Sequence, residues 1–141
     1  MARKVLFPKF RPNGKVPGMP LTLGKELLKI HLNYFPIIKI LREQFSIKGL
    51  AHITGGGLYK NTIRIVPEGF LPEFDWNSWE VPAIFQFIQK TGNVPIDDMR
   101  QTFNMGIGLV VVADSKDLES IKVMINKNDL NCFHIGKIVA K

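Results

Sequence analysis

Gly49-Leu50-Ala51-His52-Ile53-Thr54-Gly55-Gly56-Gly57, followed by Asn61 and Arg64, is the run whose residue types and spacing could do chemistry. Three successive glycines let a backbone turn sharply and pass close to a bound group, because no Cβ stands in the way. N–H groups at a following helix start would point at an anion, which the helix dipole also favours. Tight turns need glycines as well, so the triglycine gains meaning from the polar residues around it. His52 and Thr54 precede the loop. Asn61 and Arg64 follow it at a spacing of three, which puts amide and guanidinium on one helix face. The pattern points to a phosphate or nucleotide-like ligand. His52 on a short buried strand reads equally as a satisfied core residue or as a base beside that ligand. Thr54, two residues on, shares its face.

A second cluster is Arg100-Gln101-Thr102-Phe103-Asn104-Met105-Gly106-Ile107-Gly108. Asn104 falls at a helix-to-strand junction, and Gly106 and Gly108 allow close approach by either a ligand or another backbone. Both readings stand. Phe103 and Met105 read as core. His31 and His134 lack comparable surroundings and read as structural; Trp76 and Trp79 read as packing or interface residues. Asp97 and Asp98 suit a helix start, and Cys132 on an apolar strand reads as inert.

These residues need elements to hold them. Pro36 predicts a helix start, with Ile37, Ile38, Ile40, Leu41 and Phe45 on its buried face. Residues 49–54 predict a strand, and Tyr59 to Ile65 a short helix stopped at Val66-Pro67. Residues 68–78 read as a loop with an extended piece near Phe74. Val81-Pro82 and Pro95 each open a further helix. Gly106 to Val112 predicts a buried strand, Ser115 the cap of a helix reaching about Asn126, and Cys132 to Val139 a last strand. The mixed order favours an α+β sandwich, helices packed against a mixed sheet.

Bulk properties narrow the classes. At 141 residues, 45% hydrophobic and 22% charged, the chain suits one soluble domain. No apolar run reaches membrane-span length, and none after Met1 reads as a secretory signal. One cysteine suits a reducing compartment such as the cytoplasm, and the histidines at 31, 52 and 134 do not form a zinc spacing. The net charge of +7 is unevenly placed, since six basic residues precede the first acid, Glu26. From there on the chain is nearly neutral. Residues 1–20, with four prolines and two glycines, read as a basic, extended leader, and residues 21–141 as the domain. A solvated leader is favoured over a nucleic-acid-binding arm.

The segments LAHITGGGLYKN with Arg64, VPAIFQFIQKTGNV and MRQTFNMGIGLVVV, in this order and spacing, closely resemble the C-terminal domain of phosphoribosylformylglycinamidine cyclo-ligase, or aminoimidazole ribonucleotide synthetase. The resemblance runs from about Leu21 to the C-terminus. It implies the fold of that superfamily and a reaction of de novo purine biosynthesis. ATP and Mg2+ serve to phosphorylate the formyl oxygen of formylglycinamidine ribonucleotide, and ring closure then releases ADP and phosphate. Family enzymes are homodimers with a cleft between two domains, and the N-terminal one carries most ATP and magnesium ligands. Carried over, the C-terminal wall is His52, Thr54, Gly55, Gly56, Gly57, Asn61 and Arg64, with Asn104, Gly106 and Gly108 beside them. The segment KIHLNYFP (29–36) stands where the family reads close to PTRIYVKP, so its usual Thr-Arg and Lys are lost; Lys60 and Ile63 also depart.

The resemblance implies a half-enzyme that is inactive until joined to an N-terminal half. The alternative is a non-enzymatic phosphate-binding or nucleotide-binding module, or a regulatory subunit. No membrane partner is expected.

Overall fold

Proline sets the start of three of the seven α-helices in the computed structural model, which describes residues 1–141. Its fixed φ suits a first turn, and its missing N–H costs nothing there. Pro36 lies in the first turn of α3 (Phe35–Gln44), Pro82 caps α5 (Ala83–Gly92), and Pro95 caps α6 (Ile96–Thr102). The other helices are α1 (Ala2–Leu6), α2 (Leu23–Leu27), α4 (Gly57–Thr62) and α7 (Leu118–Asn126). No helix is long and apolar enough to cross a membrane.

Four strands complete an α+β architecture: β1 (Ile47–His52), β2 (Phe70–Phe74), β3 (Leu109–Ala113) and β4 (Gly136–Ala140). They pair as two antiparallel ribbons, β1 with β3 and β2 with β4, where the sequence suggested one mixed sheet. In the first ribbon His52 stands opposite Leu109, with a register shift between Ile47 and Gly49. Close behind it, Gly49 lies against the Ile65 side chain, whose Cδ1 would have to shift to admit a Cβ.

The main core joins Leu6, Leu23, Ile53, Leu58, Trp79, Ile88 and Met99, while Ile37 and Leu41 of α3 pack on Ile121 and Ile125 of α7. A leucine as fully buried as Leu41 contributes about 2 kcal/mol relative to exposure. Of the apolar residues expected on the buried face of α3, Ile38, Ile40 and Phe45 are only half-buried, and Phe45 follows the helix as its C-cap.

Four expectations change. The leader is not extended: α1 is helical, Leu6 is fully buried, Val16 is nearly so, and Phe10 packs edge-on against Phe87 of α5. Burying those apolar residues outweighs the weak helix preference of a short proline-flanked segment. Ser115 does not cap α7; it begins a 3-10 turn, Ser115–Asp117, from which α7 continues. Cys132 precedes β4 rather than lying on it, because Gly136, at φ +153°, starts that strand packed on the Glu73 carbonyl, where a side chain would not fit. The first strand begins two residues early and ends at His52.

Candidate functional site

β1 and its partner β3 bring the two sequence clusters together. Beyond His52, the Ile53 amide donates to the Gly108 carbonyl at 2.9 Å, so the loops that follow β1 and precede β3 lie side by side. Ile53 is buried, while His52 and Thr54 on either side of it are exposed. The expected shared face of His52 and Thr54 is therefore present, and it faces solvent. A core role for His52 is not what the fold uses.

The three glycines do different work. Gly56, at φ +99°, is the left-handed residue that turns the chain into α4. Gly57, at φ +68°, lies against the carbonyl of Arg100 at the end of α6, where any Cβ would collide. Gly55 alone would meet nothing within 4 Å, so it is the glycine that opens toward solvent.

Asn61 is 5% exposed and turns inward. Its Nδ2 donates to the Gly57 carbonyl at 2.7 Å and lies 3.3 Å and 3.5 Å from those of Gly55 and Thr54. The amide expected to face a ligand instead holds the loop, and its Oδ1 accepts from Arg64 Nη1 at 3.5 Å. Arg64 is exposed, so its guanidinium is anchored on one side and open on the other.

The second cluster is mostly internal support. Asn104 Oδ1 accepts from the Gly106 amide at 3.1 Å, closing the turn that carries Met105 at φ +52° and Gly106 at φ +103°. Gly106 abuts the Pro82 ring, and Gly108 abuts the Tyr34 hydroxyl and the His31 ring. Trp79 Nε1 donates to the Met105 carbonyl at 3.0 Å, so this tryptophan packs and satisfies its polar tip together. Arg100 stacks its guanidinium 4.3 Å above the Trp76 ring. Glycines 106 and 108 thus serve close packing by side chains.

His31 is the site residue that sequence reasoning missed. Its Nε2 lies 2.7 Å from Nε2 of His52, with Tyr34 edge-on to both rings. Its distance of 21 positions from His52 in sequence hides the pairing, and no local pattern in 28–32, all exposed, points to it. Partial burial pushes the Tyr34 hydroxyl pKa up, so it stays a neutral phenol.

The open donors here are imidazole, hydroxyl, guanidinium and the Gly55 backbone. That set suits phosphate oxygens or a polar heterocycle. It presents no carboxylate to a hard cation such as Mg2+, which prefers oxygen ligands. A cavity of about 630 Å3 lies between the two ribbons and reaches these clusters at Gly106, Ile107 and Gly108, with Tyr34 also on its wall.

Residues 14–141 match the family described as AIR synthase related protein, C-terminal domain. The phosphoribosylformylglycinamidine cyclo-ligase of Pseudothermotoga lettingae is 42% identical over 142 aligned positions, which cover 99% of this chain and 41% of that relative. The cyclo-ligase so named from Caldicellulosiruptor bescii is 43% identical, covering 84% of this chain and 35% of its own. That of Thermodesulfovibrio yellowstonii is 38% identical, covering 97% and 40%. The chain therefore spans about two-fifths of the length of these relatives. The likeness also reaches through residues 1–20, which the motifs alone did not tie to the family.

Proposed function

This chain belongs to the AIR synthase related family through its C-terminal domain, and from that membership we propose that it is the C-terminal half of an ATP-dependent cyclo-ligase. The substrate in this reading is formylglycinamidine ribonucleotide, and the product of the assembled enzyme is aminoimidazole ribonucleotide. The observation that carries it is the exposed edge formed by His52, Thr54, Gly55 and Arg64, set on a loop held rigid by Asn61.

In this role Arg64 meets the substrate phosphate with the side of its guanidinium that Asn61 leaves free. The Gly55 backbone allows close approach, Thr54 offers a hydroxyl, and His52 orients polar groups of the substrate. Gly56, Gly57, Asn61, Asn104, Gly106 and Gly108 hold that edge in place. ATP with Mg2+ would supply phosphoryl activation of the formyl oxygen. The donors on this edge do not fit Mg2+, and the metal and most of the ATP contacts fall to an N-terminal half. A cytoplasmic location, and dimerisation through that other half, go with this reading.

A strip of apolar side chains supports the need for a second half. Leu28, Ile30, Leu32 and Phe35 are 81%, 94%, 56% and 71% exposed. The amides of Ile30, His31 and Leu32 between them make no backbone hydrogen bond. Contiguous apolar exposure of this kind marks an interaction surface. In the proposed enzyme the N-terminal half packs there, beside His31 and His52.

Calorimetric titration of the chain with formylglycinamidine ribonucleotide tests the site. Binding that weakens in Arg64→Ala is the expected result. Binding indifferent to Arg64→Ala would overturn the assignment of the phosphate to this edge. Binding of many unrelated phosphates with equal affinity would favour the non-enzymatic module instead.

A further inference from the structure

We propose that His31 and His52 form a two-histidine binding site for a divalent transition cation of the Zn2+ class. The Nε2 atoms of the two rings stand 2.7 Å apart, with ring centroids 4.9 Å apart and planes tilted by 40°, so the rings meet tip to tip. Without a metal one imidazole donates this hydrogen bond and the other accepts it. Two neutral imidazole nitrogens held at one point are also the preferred ligands of zinc, copper and nickel.

Zinc binds imidazole nitrogen at about 2.0–2.1 Å, and a tetrahedral angle between two such bonds sets the nitrogens about 3.3 Å apart. The pair must therefore open by about 0.6 Å, with both rings turning outward. Both side chains are exposed, so neither ring is locked inside the core. The amides of Ile30, His31 and Leu32 make no backbone hydrogen bonds, so that segment can yield without breaking a ladder. No third His, Cys, Asp or Glu joins the pair, which leaves the other coordination positions to water or to an incoming anionic ligand. A hard cation such as Mg2+ has no reason to choose these nitrogens. The inference stands apart from the cyclo-ligase reading, because the metal alone is the probe.

Zn2+ titration of the whole chain at neutral pH, followed by calorimetry, tests it. One saturable site per chain is expected. His31→Ala and His52→Ala should each weaken it by more than about tenfold, since even loss of a residue behind a ligand costs 10–100-fold. His134→Ala and Cys132→Ser should leave it unchanged, and circular dichroism of each variant separates lost ligation from lost fold. Absence of saturable uptake would overturn the proposal. So would a folded His31→Ala or His52→Ala chain that binds like the wild type, or uptake that vanishes with His134 or Cys132.

Discussion

The carboxamide nitrogen of Asn61 stands 2.7 Å from the carbonyl oxygen of Gly57, four residues earlier and in the first position of the same helix. One buried side chain thereby fixes the loop that presents Thr54 and Gly55. Asn61→Ala leaves the Gly55 and Gly57 carbonyls without that donor, and should destabilise the chain by about 1–3 kcal/mol. Urea denaturation measures this, and ligand affinity should fall with it.

Gly55 and Gly57 should respond oppositely to alanine. Gly57→Ala sets a Cβ against the Arg100 carbonyl at a left-handed φ of +68°, so it should cost about 1–3 kcal/mol or more. Gly55→Ala meets no neighbour and should leave stability within about 0.5 kcal/mol while weakening substrate binding. Denaturation midpoints paired with calorimetry separate the two effects.

Cys132 should be slow to alkylate. Burial pushes its thiol pKa up, and nearby Lys122 only partly opposes this. Thiolate is the reactive form, so at pH 7.5 the folded chain should react with iodoacetamide more slowly than the urea-unfolded chain. The sign for stability follows. A raised folded-state pKa contributes stability below the unfolded value, about 8.5, and that contribution is lost as pH rises through the folded value.

The apolar strip should tolerate charge in isolation. Ile30→Lys with Leu32→Gln alters side chains that are already exposed, so stability should change by less than about 0.5 kcal/mol. The same pair should abolish co-purification with a separately expressed N-terminal half of a related cyclo-ligase. Unchanged co-purification would remove the strip from the interface.

Much of this was legible in the sequence because local rules agreed with the fold. Pro36, Pro82 and Pro95 mark helix starts by their own geometry, and the glycine loop between a strand and a helix followed from residue types alone. What the sequence hid was long-range. Asn61 and Arg64 do share a face, yet only the folded loop shows that Asn61 turns toward carbonyls while Arg64 faces water. Nothing local told that Gly108 makes room for Tyr34, or that His31 meets His52. Residues 1–20 misled because proline and charge obscure the apolar residues Leu6, Phe10 and Val16, which find partners only in α5 and the main core.

Whether this chain is half of a cyclo-ligase is answered by turnover on reconstitution. Formylglycinamidine ribonucleotide, ATP and Mg2+ are supplied to the chain alone, to an N-terminal half alone, and to the two together, and substrate-dependent ADP release is followed. Release is expected only from the mixture, and is lost with Arg64→Ala. Robust release by this chain alone, or a stable complex of the two halves that turns over nothing, would contradict it.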